Sequence, residues 1–152
     1  MKRAQILAVA FALLLALVGC SRGAADATPD GAVRLWLEKM ESGDDARATM
    51  EAYQLLGPRA RANLKDRAER ASRGQGRRFE PHEMLAEGRF GLRFRPKSFA
   101  SRIDGDAAIV EVRGDQPEEK AIVQCRREEG GWRVEPELPD VTLPAFRADG
   151  GS

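Results

Sequence analysis

Few residues in this chain are equipped for chemistry. Its 152 residues include two cysteines, one histidine and one tyrosine, and aromatic side chains make up 6%. Two cysteines allow one disulfide at most, so a disulfide framework is excluded. A single histidine excludes zinc sites that need several imidazoles. Charge of one sign is also missing: 25 Lys+Arg stand against 24 Asp+Glu, a formal net of +1. No global attraction to nucleic acid follows from such a balance, and no nucleic-acid partner is expected. Nor is there a long hydrophobic run. The apolar stretch from Ile6 to Val18 falls well short of the roughly 20 residues that span a bilayer as a helix.

What that short stretch does supply is a leader. Lys2 and Arg3 precede it and Gly19 follows it, the charged start, short core and small residue of a secretory signal peptide. The junction Leu17-Val18-Gly19-Cys20 closely resembles the lipobox of bacterial lipoproteins. In that family the signal is removed, the cysteine thiol takes a diacylglycerol and the new amino terminus is usually acylated. The resemblance therefore implies a signal peptide over 1–19, lipidation at Cys20 and a membrane partner through that lipid. The plainer alternative is a signal peptide with an incidental cysteine. Two or more acyl chains anchor stably where one does not. Ser21 follows the cysteine; an Asp there commonly means retention in the inner membrane of Gram-negative bacteria. The resemblance thus implies the cell envelope, on the periplasmic side of the outer membrane. With Cys20 lipidated, Cys125 has no partner, and the fold must stand on its core.

Residues 20–27 are polar and small and are expected to form a flexible tether. A single domain is expected over 28–140, with a disordered tail over 141–152. Thr28-Pro29-Asp30 is a helix start: a capping hydroxyl, proline at the first position and an acid in the first turn. Val33, Trp36, Leu37 and Met40 then form one apolar stripe, with Arg34, Glu38, Lys39 and Glu41 facing away. Gly43 is placed to end the helix and Asp44-Asp45 to cap a second one reaching about Leu56. Its expected apolar side is Met50, Tyr53 and Leu56. Gly57-Pro58 opens a third helix with a thin stripe of Ala60, Leu64, Ala68 and Ala71.

From Gly88 onward the period shifts from 3.6 to 2. Phe90, Leu92 and Phe94 alternate with polar or small residues up to Pro96, a candidate edge segment. A hairpin is expected around Asp104-Gly105-Asp106, a third strand over 120–127, and a last strand through Trp132 and Val134. Helices first and a meandering antiparallel sheet after is an α+β class, the helices packed on one face of the sheet. The order of local signals resembles the nuclear-transport-factor-2-like, or ketosteroid-isomerase-like, superfamily over about residues 28–138. Those signals are Ser42-Gly43-Asp44, Leu55-Leu56-Gly57-Pro58-Arg59-Ala60-Arg61, Asp104 to Val110, and Gly130-Gly131-Trp132 with Val134. The resemblance implies a curved antiparallel sheet forming a cone-shaped half-barrel with an apolar pocket.

Enzymes of that superfamily place acids, histidine or tyrosine inside the pocket, and matching residues are mostly missing here. His82 lies on a polar turn, Tyr53 on an apolar stripe, and Glu111 alternates outward between Val110 and Val112. Cys125 shares a strand face with Ala121 and Val123 and reads as a buried, inert thiol. Glu80, His82 and Glu83 lack a metal-ligand spacing; no cofactor and no metal are expected. Charge is uneven, however. Residues 57–102 carry 13 basic and 5 acidic side chains, whereas residues 103–152 carry 6 and 12. Arg73, Arg77, Arg78, Arg89, Arg93 and Arg95 form a candidate basic face toward anionic head groups or an acidic partner. The alternative is a solvated surface whose halves complement each other. The expected function is a non-catalytic, membrane-anchored envelope domain that binds an envelope protein or an apolar ligand. The alternatives are an isomerase- or dehydratase-like enzyme and an Arg-rich membrane-docking module.

Overall fold

A computed structural model of the chain describes residues 24–42, 45–85 and 92–138. Three helices, α1 (Pro29–Glu41), α2 (Ala46–Gln54) and α3 (Pro58–Gln75), precede four strands. These are β1 (Ser98–Asp104), β2 (Ala107–Arg113), β3 (Lys120–Glu128) and β4 (Gly131–Glu135). The strands pair antiparallel in chain order. Helices on an open antiparallel sheet make the α+β class expected from the sequence, consistent with a curved half-barrel.

Helix α1 forms because its start is capped and its apolar residues share one side. The Thr28 hydroxyl accepts from Gly31 N at 3.2 Å, and Pro29 opens the helix. Ala32, Val33, Trp36 and Leu37 are buried against one face of the sheet. Pairing puts opposite residues on the same face, so that face carries Ala108, Val110 and Val112 of β2, Val123 and Cys125 of β3, and Trp132 and Val134 of β4. Both tryptophans are core residues at 2% exposure, as their periodic positions predict.

Helix α2 departs from expectation. Its buried residues are Ala48 and Ala52, while Met50 is 39% exposed and Tyr53 half-buried. Small residues let α2 lie close on α1, and Lys39 of α1 reaches Glu51 of α2 at 2.7 Å. Lys39 thus does not simply face away. Each ion holds the other charged: the hydrogen bond to Glu51 raises the Lys39 pKa, and that to Lys39 lowers the Glu51 pKa. Asp45 caps α2, accepting from Arg47 N at 2.9 Å. The Gly43-Asp44 part of the expected turn lies outside the described residues, as does Phe90. Residues 92–97 are irregular rather than a strand, although Leu92 and Phe94 pack against the core. Two side chains close together and a following proline produce alternation without a ladder.

The packed domain also begins earlier in the chain than expected. Ala25–Ala27 form one 3₁₀ turn docked on the domain. Asp26 Oδ2 meets Arg133 at 2.6 Å and lies over Gly131, whose φ of 149° and missing Cβ make room for it. Thr28 is therefore not the first packed residue.

Helix α3 starts from the edge of β4. Gly57 has no side chain to cap it. The Glu135 carboxylate does so from the far end of the chain, accepting from Arg59 N at 3.1 Å and Ala60 N at 2.9 Å. A Cβ on Gly57 would come within 2.3 Å of that carboxylate. Gly57 N donates to Val134 O, and Val134 N donates to Leu55 O, each at 2.8 Å. Leu55 to Gly57 thereby covers the β4 edge at Val134. Glu135 is 8% exposed. We predict that Glu135→Ala, which leaves two helix N–H groups unpaired in a place water barely reaches, lowers stability by about 1–3 kcal/mol. Glu135→Gln, keeping one acceptor, should lose less; chemical denaturation of both variants is the measurement.

Candidate functional site

The groove at the far end of α3 is the place where the expected basic residues come closest to forming a site. The buried stripe Ala60, Leu64 and Ala68 fixes the helix on the domain. Lys65, Glu69 and Arg73 then follow one another four residues apart on an outer ridge. Gly76, left-handed at φ 68°, ends the helix and turns the chain back. Ser72 holds the return: its hydroxyl donates to Ala68 O at 2.7 Å and accepts from Phe79 N at 2.9 Å. Between helix and returning chain lies an open groove of about 550 Å³. Ala68, Phe79 and Pro81 supply its apolar lining; its charged rim is Lys65, Arg73 and Arg78 with Glu69 and Glu80 among them.

The next turn, Pro81–Met84, is closed by a reciprocal capping box between Glu80 and Glu83. Glu83 accepts from Glu80 N at 2.6 Å and pairs with Arg77 at 3.2 Å. Arg77 also lies 3.5 Å above the Phe79 ring. Arg78 pairs with Glu80 at 3.3 Å. The Glu80 N–H first, and Arg77 second, hold the Glu83 carboxyl below its ordinary range.

The expected basic face is thus divided. Arg77 and Arg78 are engaged by neighbouring glutamates, whereas Arg73, Arg93 and Arg95 are exposed and carry no ion pair among the described residues. Arg89 and Cys20 lie outside the described residues. Lys65 belongs to the groove and escaped sequence reasoning. Its spacing of eight residues from Arg73 on one helix ridge was the available signal.

Elsewhere the titratable groups serve the fold. Glu111 bonds Lys120 and Arg113 on the solvent face of the sheet, and Lys120 above all lowers its pKa. Burial, with Asp30 and Glu135 nearby, pushes the Cys125 thiol up to about 12, far from a reactive thiolate. His82 sits half-buried in the Pro81–Met84 turn, and Tyr53 is packed against the core. A second cleft, at the start of α3, mixes Arg59 and Arg126 with Asp104, Asp106 and Glu135. Among the described residues no group of three His, Cys, Asp or Glu could hold a metal ion, and no helix is long and apolar enough to cross a membrane. Comparison with known proteins finds no matching family, no similar curated protein and no similar solved structure.

The groove makes one pH prediction. A depressed folded pKa means that Glu83 contributes its full stabilisation above the ordinary carboxyl value of about 4.3. That contribution disappears as pH falls through the lowered folded value. Amide exchange of residues 77–84 should accelerate relative to the core strands below about pH 4, and Glu83→Gln should show the faster exchange already at pH 7.

Proposed function

We propose that this chain is a lipid-anchored protein of the bacterial cell envelope whose α+β domain is a non-catalytic binding or accessory module. The observation that carries the anchoring is the junction Leu17-Val18-Gly19-Cys20 behind a thirteen-residue apolar run. With Ala25–Ala27 docked on the domain, only residues 21–24 separate that turn from Cys20. At 3.3–3.6 Å per residue that is a reach of about 15 Å. Binding rather than catalysis is favoured by where the shifted groups stand. Glu51, Glu83 and Glu111 are all displaced toward the ionised form by partners at the surface, the opposite of what a general acid needs. The Glu135 carboxylate is occupied by the start of α3.

Within this reading two exposed cationic segments make the contact, the end of α3 and the residues around Arg93 and Arg95. Their cations without ion pairs favour an acidic envelope partner or anionic head groups over an apolar ligand. Basic residues near an anionic leaflet contribute about 1 kcal/mol each, within a Debye length of about 8 Å. Such contacts orient an anchored domain without replacing the lipid.

Two measurements check the proposal. Metabolic labelling with a fatty acid should mark the wild type and leave Cys20→Ala unlabelled and unprocessed; equal labelling rejects the anchor. Flotation of residues 24–152, which carry neither the apolar leader nor Cys20, with vesicles rich in phosphatidylglycerol should show binding that weakens at high salt. Arg73→Glu combined with Arg93→Glu and Arg95→Glu should abolish it. Binding that ignores salt or survives the triple variant would assign the surface elsewhere.

A further inference from the structure

The two edges of the sheet are treated differently. The β4 edge is met at Val134 by Leu55 to Gly57, whereas β1 pairs only with β2 among the described residues. Which backbone groups β1 leaves open follows from the ladder. Arg127 N donates to Asp106 O, so these two form a hydrogen-bonded pair, and such pairs alternate along antiparallel strands. Ala108, Val110 and Val112 therefore point their backbone groups at β3, and Ala107, Ile109, Glu111 and Arg113 at β1. Their β1 partners are Asp104, Arg102, Ala100 and Ser98. The N–H and C=O groups of Phe99, Ser101 and Ile103 face the open edge.

The side chains of these three residues share the core face with Val112, Val110 and Ala108, yet that face is incompletely covered at β1. Ile103 is 51% exposed, and Phe99 is half-buried beneath the Arg34 guanidinium at 4.4 Å. Among the described residues neither a proline nor a lysine within the strand guards the open side, and α1 touches it only through Arg34 over Phe99 and Asp30, which accepts from the Ser101 hydroxyl at 3.5 Å. Pro96 lies before the strand, and the one basic residue within it, Arg102, projects on the opposite face.

We propose that β1 is a self-pairing edge, and that its occupant is β1 of a second copy of this chain, antiparallel about Ser101. In that register Ser101 meets Ser101, and Phe99 meets Ile103 on both sides of the two-fold axis. Every outward N–H and C=O of the three residues then has a partner. The apolar pair falls on the core face of both copies, so each exposed Ile103 gains a phenyl neighbour. On the other face Ala100 meets Arg102 and Ser98 meets Asp104, and no like charges stand directly opposite. Sliding the register by two residues toward Pro96 or Gly105 shortens the ladder or brings proline into it. In the one register that uses the whole strand, Phe99 faces Ile103 and no like charges are opposed, and that side-chain match favours a second copy as the occupant.

The test uses the full chain extracted in mild detergent. Light scattering should give twice the protein mass of one chain. Ser101→Pro removes an N–H from the open edge and leaves the β2 ladder intact; it should return the mass to one chain with an unchanged circular dichroism spectrum. Independently, Ser101→Cys should be linked into a homodimer by a short bis-maleimide. The two Cα atoms of such a pair lie about 5.5 Å apart, and the wild type, with Cys125 buried, is the control. If Ser101→Pro unfolds, the cross-link decides. A mass of one chain for the wild type, a dimer that persists in folded Ser101→Pro, or a cross-link only to a protein of different mass would overturn the proposal.

Discussion

The structure turns on one carboxylate. Glu135 ends the last strand and Pro58 begins the longest helix, and the two are joined by the bonds from Arg59 N and Ala60 N. Burying a charge is costly unless hydrogen bonds and an opposing potential compensate it. Here the positive end of an eighteen-residue helix does so. The same junction sets the pairing of Leu55 and Gly57 with Val134. It therefore covers one sheet edge at Val134, aims α3 and places the Lys65–Arg73 groove at the helix's far end. The seven-residue stretch from Leu55 to Arg61 reads physically as a lock. Two leucines enter the core, a glycine makes room for the carboxylate and a proline starts the helix. Arg61 then grips Glu128 through both oxygens, at 2.8 and 3.1 Å.

From Arg61 the charge pattern continues outward. Glu128 lies 3.9 Å from Arg133, and Arg133 holds Asp26 at 2.6 Å. Alternating ions thus connect α3, both strands of the last hairpin and the docked turn before α1. Arg133 and Asp26 are 17% and 18% exposed, so solvent screens them less than the other surface pairs. This is one place where the basic middle of the sequence and its acidic flank answer each other. The complementary-halves reading applies to Arg61, and local pairing to Arg77 and Arg78. The outward-facing reading keeps Arg73, Arg93 and Arg95.

How much of this a sequence can disclose depends on the range of the interaction. Trp36, Trp132, the Asp104–Ala107 hairpin and the Thr28 cap were legible because each is settled by periodicity or by a turn within a few residues. The exposed Met50 was not. In a nine-residue helix the choice of buried side was made by the elements packed on it, α1 and the Pro81–Met84 turn, which no local pattern records. The docking of Asp26, the Lys39–Glu51 pair and the cap of α3 by Glu135 share that cause. For the candidate site, Arg73 was legible as an exposed cation, but the engagement of Arg77 by Glu83 and the contribution of Lys65 needed the fold.

The proposed anchoring and the proposed edge pairing constrain each other geometrically. An antiparallel pair of β1 strands has its two-fold axis perpendicular to the sheet, so the core faces of both copies lie on the same side. Helix α1 packs on that face in each copy, and the Ala25–Ala27 turn leads directly into it. Two leashes would then leave the paired domains toward one side. With a reach of about 15 Å each, two copies anchored in the same bilayer can meet that arrangement without unfolding their first turn. Confinement to a surface also raises the effective concentration of one edge for the other, as linking does for tethered modules. A strand edge with only three residues of free backbone would gain most from such confinement, because two domains anchored in one bilayer would be held near each other and much of the orientational loss met before pairing.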